Sequence, residues 1–535
     1  MKTKLVFALM LSLLLAVFFT GCNSNTPSSG EAETKKNELT TCESTDFVCF
    51  TSCGHSGGFQ NYSANIYETL VEYEDGKIKP LLAESWDVNG SEITLKLRQG
   101  VKFSDGKDFN AGAVKLNIDS LYKYQYDSVS WFQVIGLLDH VEVVDEYTVK
   151  IVLTQPYYAA LYDLASRFSL GMMSPAAFEV DGNPYENVFS TAGTGPYTIT
   201  DYKQGSYYVF ARNENYWGEA PVAEKLTVKI VPDVDSRLVA LRSGEADFLF
   251  GISNLSYNAF NELKNADGIK GVISDNHSRS DYILFNSANP ALQDIHMRRA
   301  IAESIDKETL IKGVLLGLQD NADYMFDPAL EYCDAESSLS PYLYNPENVR
   351  TLLEAAGWKL DGAAGIREKD GQALTFKLTY VAGYGSNDEL TQVIKSQLAK
   401  AGINVTLESF ETATWASKIY KGDYDLTLAF SYGVPYDPHI TLNGIIGQDL
   451  ADVAMHSFAF KEELNTSITE LMKTNEPARV EELIGQAIKA IHTNYGAIPL
   501  TYENELAVYN SNSISKIKFF GQPGLTVIKN ITPAE

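Results

Sequence analysis

Between Leu374 and Ser431 the chain leaves little choice of fold. Leu374–Val381, Val405–Ser409 and Asp425–Ser431 are short apolar runs of strand length, and the segments between them, Asp388–Ala401 and Thr414–Lys421, carry apolar residues at helical spacing. This β-α-β-α-β order predicts parallel strands covered by helices, because a parallel pair needs a long crossover to connect it. Ligands of such sheets lie beyond the carboxyl ends of the strands. Two loops are thereby directed at a binding site: Ala382-Gly383-Tyr384-Gly385-Ser386, and Tyr432-Gly433-Val434-Pro435-Tyr436-Asp437-Pro438-His439.

The rest of the chain is of the same mixed kind. Gly193–Asp247 reads as a Gly193-Thr194-Gly195-Pro196 turn, strands at Tyr197–Tyr202 and Tyr207–Arg212, and a polar aromatic loop to Gly218. A strand at Leu226–Val231 follows, then a helix with Leu238, Val239 and Leu241 on one side. Turns at Asp75-Gly76, Asn89-Gly90 and Asp105-Gly106 separate short antiparallel strands that lead into a helix from Ala111. Nearer the start, Asp46–Ser52 reads as a strand with Phe47, Cys49, Thr51 and Cys53 on one side, and Asn61–Val71 as a helix. Tyr282–Asn286 is a strand crossing to a second lobe. The Pro477–His492 helix, the Ile498–Tyr502 strand and a β-rich tail return to the first. A chain of 535 residues with 45% apolar composition buries enough surface for more than one lobe.

The amino terminus carries export information. Lys2 and Lys4 precede an apolar run from Leu5 to Phe19, too short for a membrane span, which ends in Phe19-Thr20-Gly21-Cys22. A cysteine after a small residue at that place predicts signal cleavage and a lipid anchor on Cys22, with ordinary cleavage as the alternative. Residues 22–39 are polar and read as a tether. The formal charge of −26 argues against a nucleic-acid partner and against electrostatic attraction to anionic lipid.

Chemistry-bearing residues are sparse. Cys49, Cys53 and His55 form a candidate soft-metal set, although their spacing fits no standard finger, and Cys42 could instead pair with Cys49 or Cys53. Gly54-His55-Ser56-Gly57-Gly58 matches the G-x-S-x-G elbow of serine hydrolases, but it follows the first strand rather than a late one, so Ser56 is expected to be a decoy. No G-x-x-x-x-G-K phosphate loop occurs, so nothing in the chain is expected to hydrolyse ATP through that motif. His140, His296 and His492 are expected to be structural.

Several runs together resemble one family. GTGPY at Gly193–Tyr197, RNENYWG at Arg212–Gly218, the strand ending Val231-Pro232-Asp233 and the helix ending at Ala240–Asp247 are similar to extracellular solute-binding proteins of peptide and nickel ABC importers. Pro80–Trp86, Leu97–Gly106, Met297–Ile301 and Ile305-Asp306-Lys307 extend the resemblance, which runs from about Tyr67 to Pro499. It implies an α/β, two-lobed periplasmic-binding-protein-like fold of type II, in the large peptide/nickel-binding class, with a cleft between the lobes. Lobe I would span 40–280 with 500–535, including an inserted subdomain at about 73–189, and lobe II would span 281–499. The implied protein is not an enzyme, has no cofactor, and is a monomer that hands its solute to a permease.

The spacing from Trp131 through Tyr157-Tyr158 to Pro175, and the aromatic-Gly-x-Pro-Tyr-Asp-Pro-His run, resemble the nickel-binding branch. That resemblance implies ligand contact by Trp131, Tyr432 and Tyr436, with Arg167 holding a carboxylate; Tyr384 joins the candidates because its loop is directed at the cleft by the strand order. The branch's metal-ligating histidine is matched here by Asp449-Leu450-Ala451-Asp452, so His55, His439 and His456 become the candidate donors. Alternatively the metal arrives fully wrapped in a small organic chelator, and the protein touches only the chelator, through Arg, Tyr and Trp. The expected solute is nickel or a related transition-metal chelate; a di- or oligopeptide is the alternative.

Overall fold

The computed structural model describes residues 37–52, 58–74, 76–167, 170–186, 192–334, 338–360, 365–447 and 449–535. Cys22, Cys53, His55 and Ser56 lie outside the described residues.

One sheet organises the chain. Among the described residues its order is Asn404–Phe410, Thr375–Val381, Leu426–Phe430, Ile269–Phe285, Ala497–Asn510, Phe248–Phe250, Glu38–Glu43, Lys225–Ile230, Tyr207–Arg212 and Tyr197–Lys203. The short Asp320–Asn321 strand adds to Ala497–Asn510. Thr375–Val381 runs parallel to both Asn404–Phe410 and Leu426–Phe430, as the β-α-β-α-β pattern requires. The intervening helices, Asn387–Lys400 and Thr412–Tyr420, bury Ile394, Leu398, Trp415 and Ile419.

Two long strands hold the middle. Ile269–Phe285 and Ala497–Asn510 pair antiparallel over almost their whole length, and all but the last residue of Ala497–Asn510 is buried. The sequence expectation saw only the apolar ends, Tyr282–Asn286 and Ile498–Tyr502. The polar continuation of each strand was hidden because His277, Arg279, Asp281, Glu503 and Glu505 break the apolar pattern. Register shifts flank His277 and recur between Asp281 and Tyr282, the local bends that irregular pairing produces. Apart from this sheet, Ala83–Asn89, Glu92–Leu97, Thr148–Leu153 and Leu138–Asp145 form a four-stranded antiparallel sheet in that order, against which the Ala111–Tyr124 helix packs.

Local expectations near the start need correction. Asp46–Ser52 is not a strand. Phe47 and Phe50 are both fully buried, and an alternation of two cannot send residues three apart to one side. The Asp46 carboxylate instead accepts from Phe47 N (2.9 Å), Gly205 N (3.1 Å) and the Tyr208 hydroxyl (2.7 Å). Asn61–Val71 is not a helix either: it contains a short 3-10 turn at Ser63–Asn65, and residues 62–71 are buried throughout. The Gly193–Pro196 turn explains this. A Cβ on Gly193 would lie 1.9 Å from Ile66 O, and one on Gly195 2.6 Å from Asn65 O. Gly195 N donates to Ile66 O at 2.8 Å, so backbone meets backbone where a helix would have interposed side chains.

Three smaller differences concern boundaries and pairing. Glu38 and Leu39 already pair with Lys225 and Leu226, so the expected tether of residues 22–39 stops short of them. On the Val234–Ser243 helix Leu241 is buried but Val239 is 62% exposed, so the apolar stripe is narrower than expected. Cys42 and Cys49 carry free thiols; Cys42 is buried in the smaller apolar core, and burial pushes its thiol up to about 11.

Candidate functional site

The Tyr432–His439 loop leaves the carboxyl end of Leu426–Phe430, where the parallel strands direct a ligand. A buried carboxylate shapes it. Asp437 accepts from Gly433 N (3.0 Å) and from the Ser431 and Thr441 hydroxyls. Burial pushes its carboxyl up to about 6, with these hydrogen bonds opposing the rise. Gly433 has φ +76°, and a Cβ there would sit 2.5 Å from both Pro523 Cγ and Ser278 O, so only glycine fits this turn. Val434 N donates to Ser278 O at 3.1 Å, which ties the loop to the long central strand.

Trp131, Tyr432 and Tyr436 meet here. Trp131 stacks on Phe132 at 3.9 Å and on Tyr432 at 5.8 Å with an interplanar angle of 23°, and lies 6.2 Å from Tyr436. Its indole N–H donates to Ser128 O at 2.8 Å, fixing the ring. The Tyr436 hydroxyl hydrogen-bonds Ser166 Oγ at 3.0 Å, and the Tyr432 hydroxyl donates to Asp449 Oδ2 at 2.6 Å. Tyr432 remains 43% exposed, so an aromatic face is open to a ligand.

His439 ends the loop in an aromatic box. It is 1% exposed, its Nδ1 lies 2.9 Å from the Tyr158 hydroxyl, and the Tyr162 ring is 4.2 Å away. Burial pulls its imidazole down to about 3, so it is neutral under ordinary conditions. His456, by contrast, is exposed and lines a separate depression with Lys461 and Glu462. The described residues contain no group of three or more His, Cys, Asp or Glu side chains arranged to hold a metal ion.

Tyr384 lies on the other predicted loop. Its hydroxyl accepts from Arg279 and its ring stacks on Phe430 at 5.7 Å. Behind it a cavity of about 30 Å³, room enough for water, is lined by Arg279, Asp281, Gln319 and Glu503 among others. Arg167 is 4% exposed: Nη2 pairs with Glu72 at 2.9 Å, and its guanidinium lies over Phe520 at 4.9 Å.

Several polar residues escaped the motif reading. Arg279 pairs with Glu503 at 2.8 Å in a buried setting. His277 lies between Asp327 (2.5 Å) and Asp320 (3.0 Å), and these hydrogen bonds, Asp327's first, raise its imidazole above the usual range. A cavity of about 750 Å³ beside the loop is lined by Tyr73, His277, Asp327, Val434, Glu505 and Phe520 among others. The available signal was the recurrence of charge at every second position, His277-x-Arg279-x-Asp281 and Glu503-x-Glu505, inside strands otherwise apolar.

Residues 77–449 match the family model of bacterial extracellular solute-binding proteins, family 5 Middle. The chain belongs to this family. It is 29% identical to the nickel-binding periplasmic protein of Escherichia coli (strain K12) over 448 residues, 83% of this chain and 84% of that one. It is 26% identical to the glutathione-binding protein GsiB of Salmonella typhi over 464 residues, 85% and 86% of the two chains. The crystal structure of NikA from Brucella suis in complex with Fe(III)-EDTA matches with a TM-score of 0.87 and 29% identity, covering 93% of this chain and all of that one. The family 5 solute-binding protein described here accordingly has the two-lobed α/β architecture of the type II peptide/nickel class. It is a substrate-binding protein of an ABC importer, in a family whose members bind solutes rather than transform them. None of its described helices is long and apolar enough to cross a membrane.

Proposed function

We propose that this protein captures nickel or a related transition metal as a small organic chelate and delivers it to an ABC permease. The observation that carries the reading is the Trp131–Tyr432–Tyr436 cluster, aromatic faces from distant parts of the chain gathered at the carboxyl end of the parallel strands. Such faces suit a flat or cationic complex. His439 is almost fully buried and already engaged by Tyr158, which favours a metal whose donors come mainly from its chelator. A 29% identical relative is a nickel-binding periplasmic protein, and another solved relative of that identity is named with Fe(III)-EDTA bound.

The lobes in this reading are residues 40–280 with 500–535, carrying the inserted subdomain near 73–189, and residues 281–499. Both lobe boundaries fall within the long central strands, where a hinge would be shared. The protein works as a monomer held at the outer face of the membrane by lipid on Cys22, and mass spectrometry of the mature amino terminus tests that anchor. Tyr384 adds to the ligand contacts, and Arg167 joins them only by exchanging its buried pair with Glu72 for a ligand carboxylate. His456 lines a separate depression, so of His55 and His456 only His55 would donate to the metal, and only if the chelator leaves a position open.

A peptide receptor is the second reading. It is favoured by the 26% identical glutathione-binding relative and by the 750 Å³ cavity with acidic Asp327 and Glu505 in its lining. Calorimetry with nickel chloride, nickel–histidine and glutathione separates the two. Heat that requires nickel supports the first reading, and saturable heat from glutathione without metal replaces it with the second.

A further inference from the structure

We propose that Asp163 and Ser166 are positioning residues of the aromatic cluster: Asp163 holds the turn that carries Trp131, Ser166 holds Tyr436, and the single turn of chain between them sets how the two faces stand to each other. The inference deepens the reading of that cluster as the solute site and rests on it.

The Trp131 side starts from a turn that cannot cap itself. A four-residue helix, Gln133–Gly136, directly follows Trp131 and Phe132, and the first amides of a helix need acceptors from outside it. Phe132 stands at the capping position, where its side chain offers none. Asp163 fills that role from elsewhere in the chain: its Oδ2 accepts from Val134 N at 2.9 Å, and Gln133 supplies a second backbone hydrogen bond. Phe132 N donates to Val129 O at 3.0 Å, and the Trp131 indole lies on the Phe132 ring at 3.9 Å. Where Asp163 sits therefore decides where the indole sits.

The Tyr436 side is held from the same segment. Ser166 N donates to Asp163 O at 2.9 Å, which places the two side chains one turn apart. Ser166 Oγ then meets the Tyr436 hydroxyl at 3.0 Å, and the Tyr436 ring lies 6.0 Å from Phe132 and 6.2 Å from Trp131. Faces that are distant in sequence are thus backed by one short, fully buried piece of chain.

Asp163 does this as a hydrogen-bonding group rather than as a counter-charge. It is 0% exposed, so no solute reaches it. Burial pushes its carboxyl up to about 8, with the hydrogen bonds from Val134, Tyr157 and Gln133 opposing the rise. At neutral pH the protonated acid predominates, and an amide is its nearest neutral mimic.

The test compares Asp163→Asn, Asp163→Ala and Ser166→Ala with the wild type by calorimetric affinity for nickel–histidine and by fluorine NMR of the unliganded, fluorotryptophan-labelled protein. The Trp131 line is identified by its loss in Trp131→Phe. Asp163→Asn keeps an oxygen for Val134 N and should bind within about threefold of the wild type, with the Trp131 line unmoved. Asp163→Ala should bind about tenfold more weakly, with that line shifted, and Ser166→Ala about threefold more weakly. A melting temperature lowered in Asp163→Ala with affinity and Trp131 line intact makes Asp163 merely structural and overturns the inference, as does Asp163→Asn binding as weakly as Asp163→Ala. Should Asp163→Ala fail to fold, Ser166→Ala decides, and wild-type affinity in it overturns the inference. If the wild type binds no nickel–histidine, the metal reading fails alone and the fluorine spectrum still decides: a Trp131 line moved by Asp163→Ala but not by Asp163→Asn upholds the positioning role, and an unmoved line ends it.

Discussion

The Tyr432–His439 loop and the paired central strands solve opposite problems a few ångströms apart. The loop is aromatic and its fixed contacts are almost all neutral or singly charged: the Tyr436 hydroxyl on Ser166, the Tyr158 hydroxyl on His439, three donors on the one carboxylate of Asp437. Ile269–Phe285 and Ala497–Asn510 bury His277, Arg279, Asp281, Glu503 and Glu505 to a large extent in the same layer. Charges in a low-dielectric interior interact strongly and are costly to leave alone. The loop therefore has faces to offer a ligand, while the strands carry an electrostatic tension that any rearrangement of the pairing must disturb.

The sharpest way to break this contrast is to remove a charge from the strands. Arg279→Met leaves Glu503 buried beside Asp281 with no cation, and it should destabilise the protein by about 3–5 kcal/mol, read as a fall in the urea midpoint. The double variant Arg279→Met/Glu503→Met should recover most of that loss, since a buried pair replaced by apolar groups is often close to neutral. A single variant as stable as the wild type would place the strength of these strands in their backbone pairing instead.

Changes in the loop should act on binding and barely on stability. Trp131→Ala removes a face that is only partly buried, and the affinity for nickel–histidine should drop about tenfold, roughly 1.4 kcal/mol. Tyr436→Phe keeps the ring and removes the hydroxyl that hydrogen-bonds Ser166, so a smaller loss in affinity is expected from it. If Trp131→Ala unfolds the protein and leaves the affinity of the folded fraction intact, the loop is structural and the contrast with the strands disappears.

What the sequence made legible follows the same division. The β-α-β-α-β segment announced itself because Leu374–Val381, Val405–Ser409 and Asp425–Ser431 are apolar runs separated by helical periods, and its two loops were located from that pattern alone. Trp131, Tyr432 and Tyr436 came from resemblance, and the structure gathers them. The central strands were read only at their apolar ends, because seven Lys, Arg, His, Asp or Glu residues within them look like loop by any hydrophobic pattern. Asp163 was invisible for a different reason: an aspartate in the run Tyr162-Asp163-Leu164-Ala165 reads as surface, and only its full burial beneath the Trp131 turn sets it apart. At the start of the chain, the spacing of Phe47 and Phe50 carried a warning against an extended strand that alternation-based reading passes over.

The smallest expected effect, and the one that sets the two regions against each other most directly, is the pH dependence of stability. In the loop, burial lowers His439 to about 3, so its contribution is present above about 6.5 and is lost as pH falls toward 3. Asp437, raised by burial from 3.8 to about 6, works the other way: the folded state holds its proton more tightly, and stability falls as pH rises through that interval. The loop thus largely cancels itself in the acid range and is silent above about pH 7. The strands do not cancel. His277 is raised by its bonds to Asp327 and Asp320, so its stabilisation is complete below about 6.5 and is lost as pH rises through its folded value. Burial raises Glu505 from 4.5 to about 7, and its stabilising proton is likewise lost by pH 7 and above. The carboxylates facing His277, Asp320 and Asp327, are held below their ordinary value and stay ionised across this window. The urea midpoint should therefore decline between pH 6 and pH 8, where a difference of one bound proton is worth about 1.4 kcal/mol per pH unit. The decline should flatten in His277→Gln and Glu505→Gln and persist in His439→Phe. A slope that vanishes with His439 and survives the two strand variants would reverse the assignment, making the aromatic loop the titrating element and the central strands its inert support.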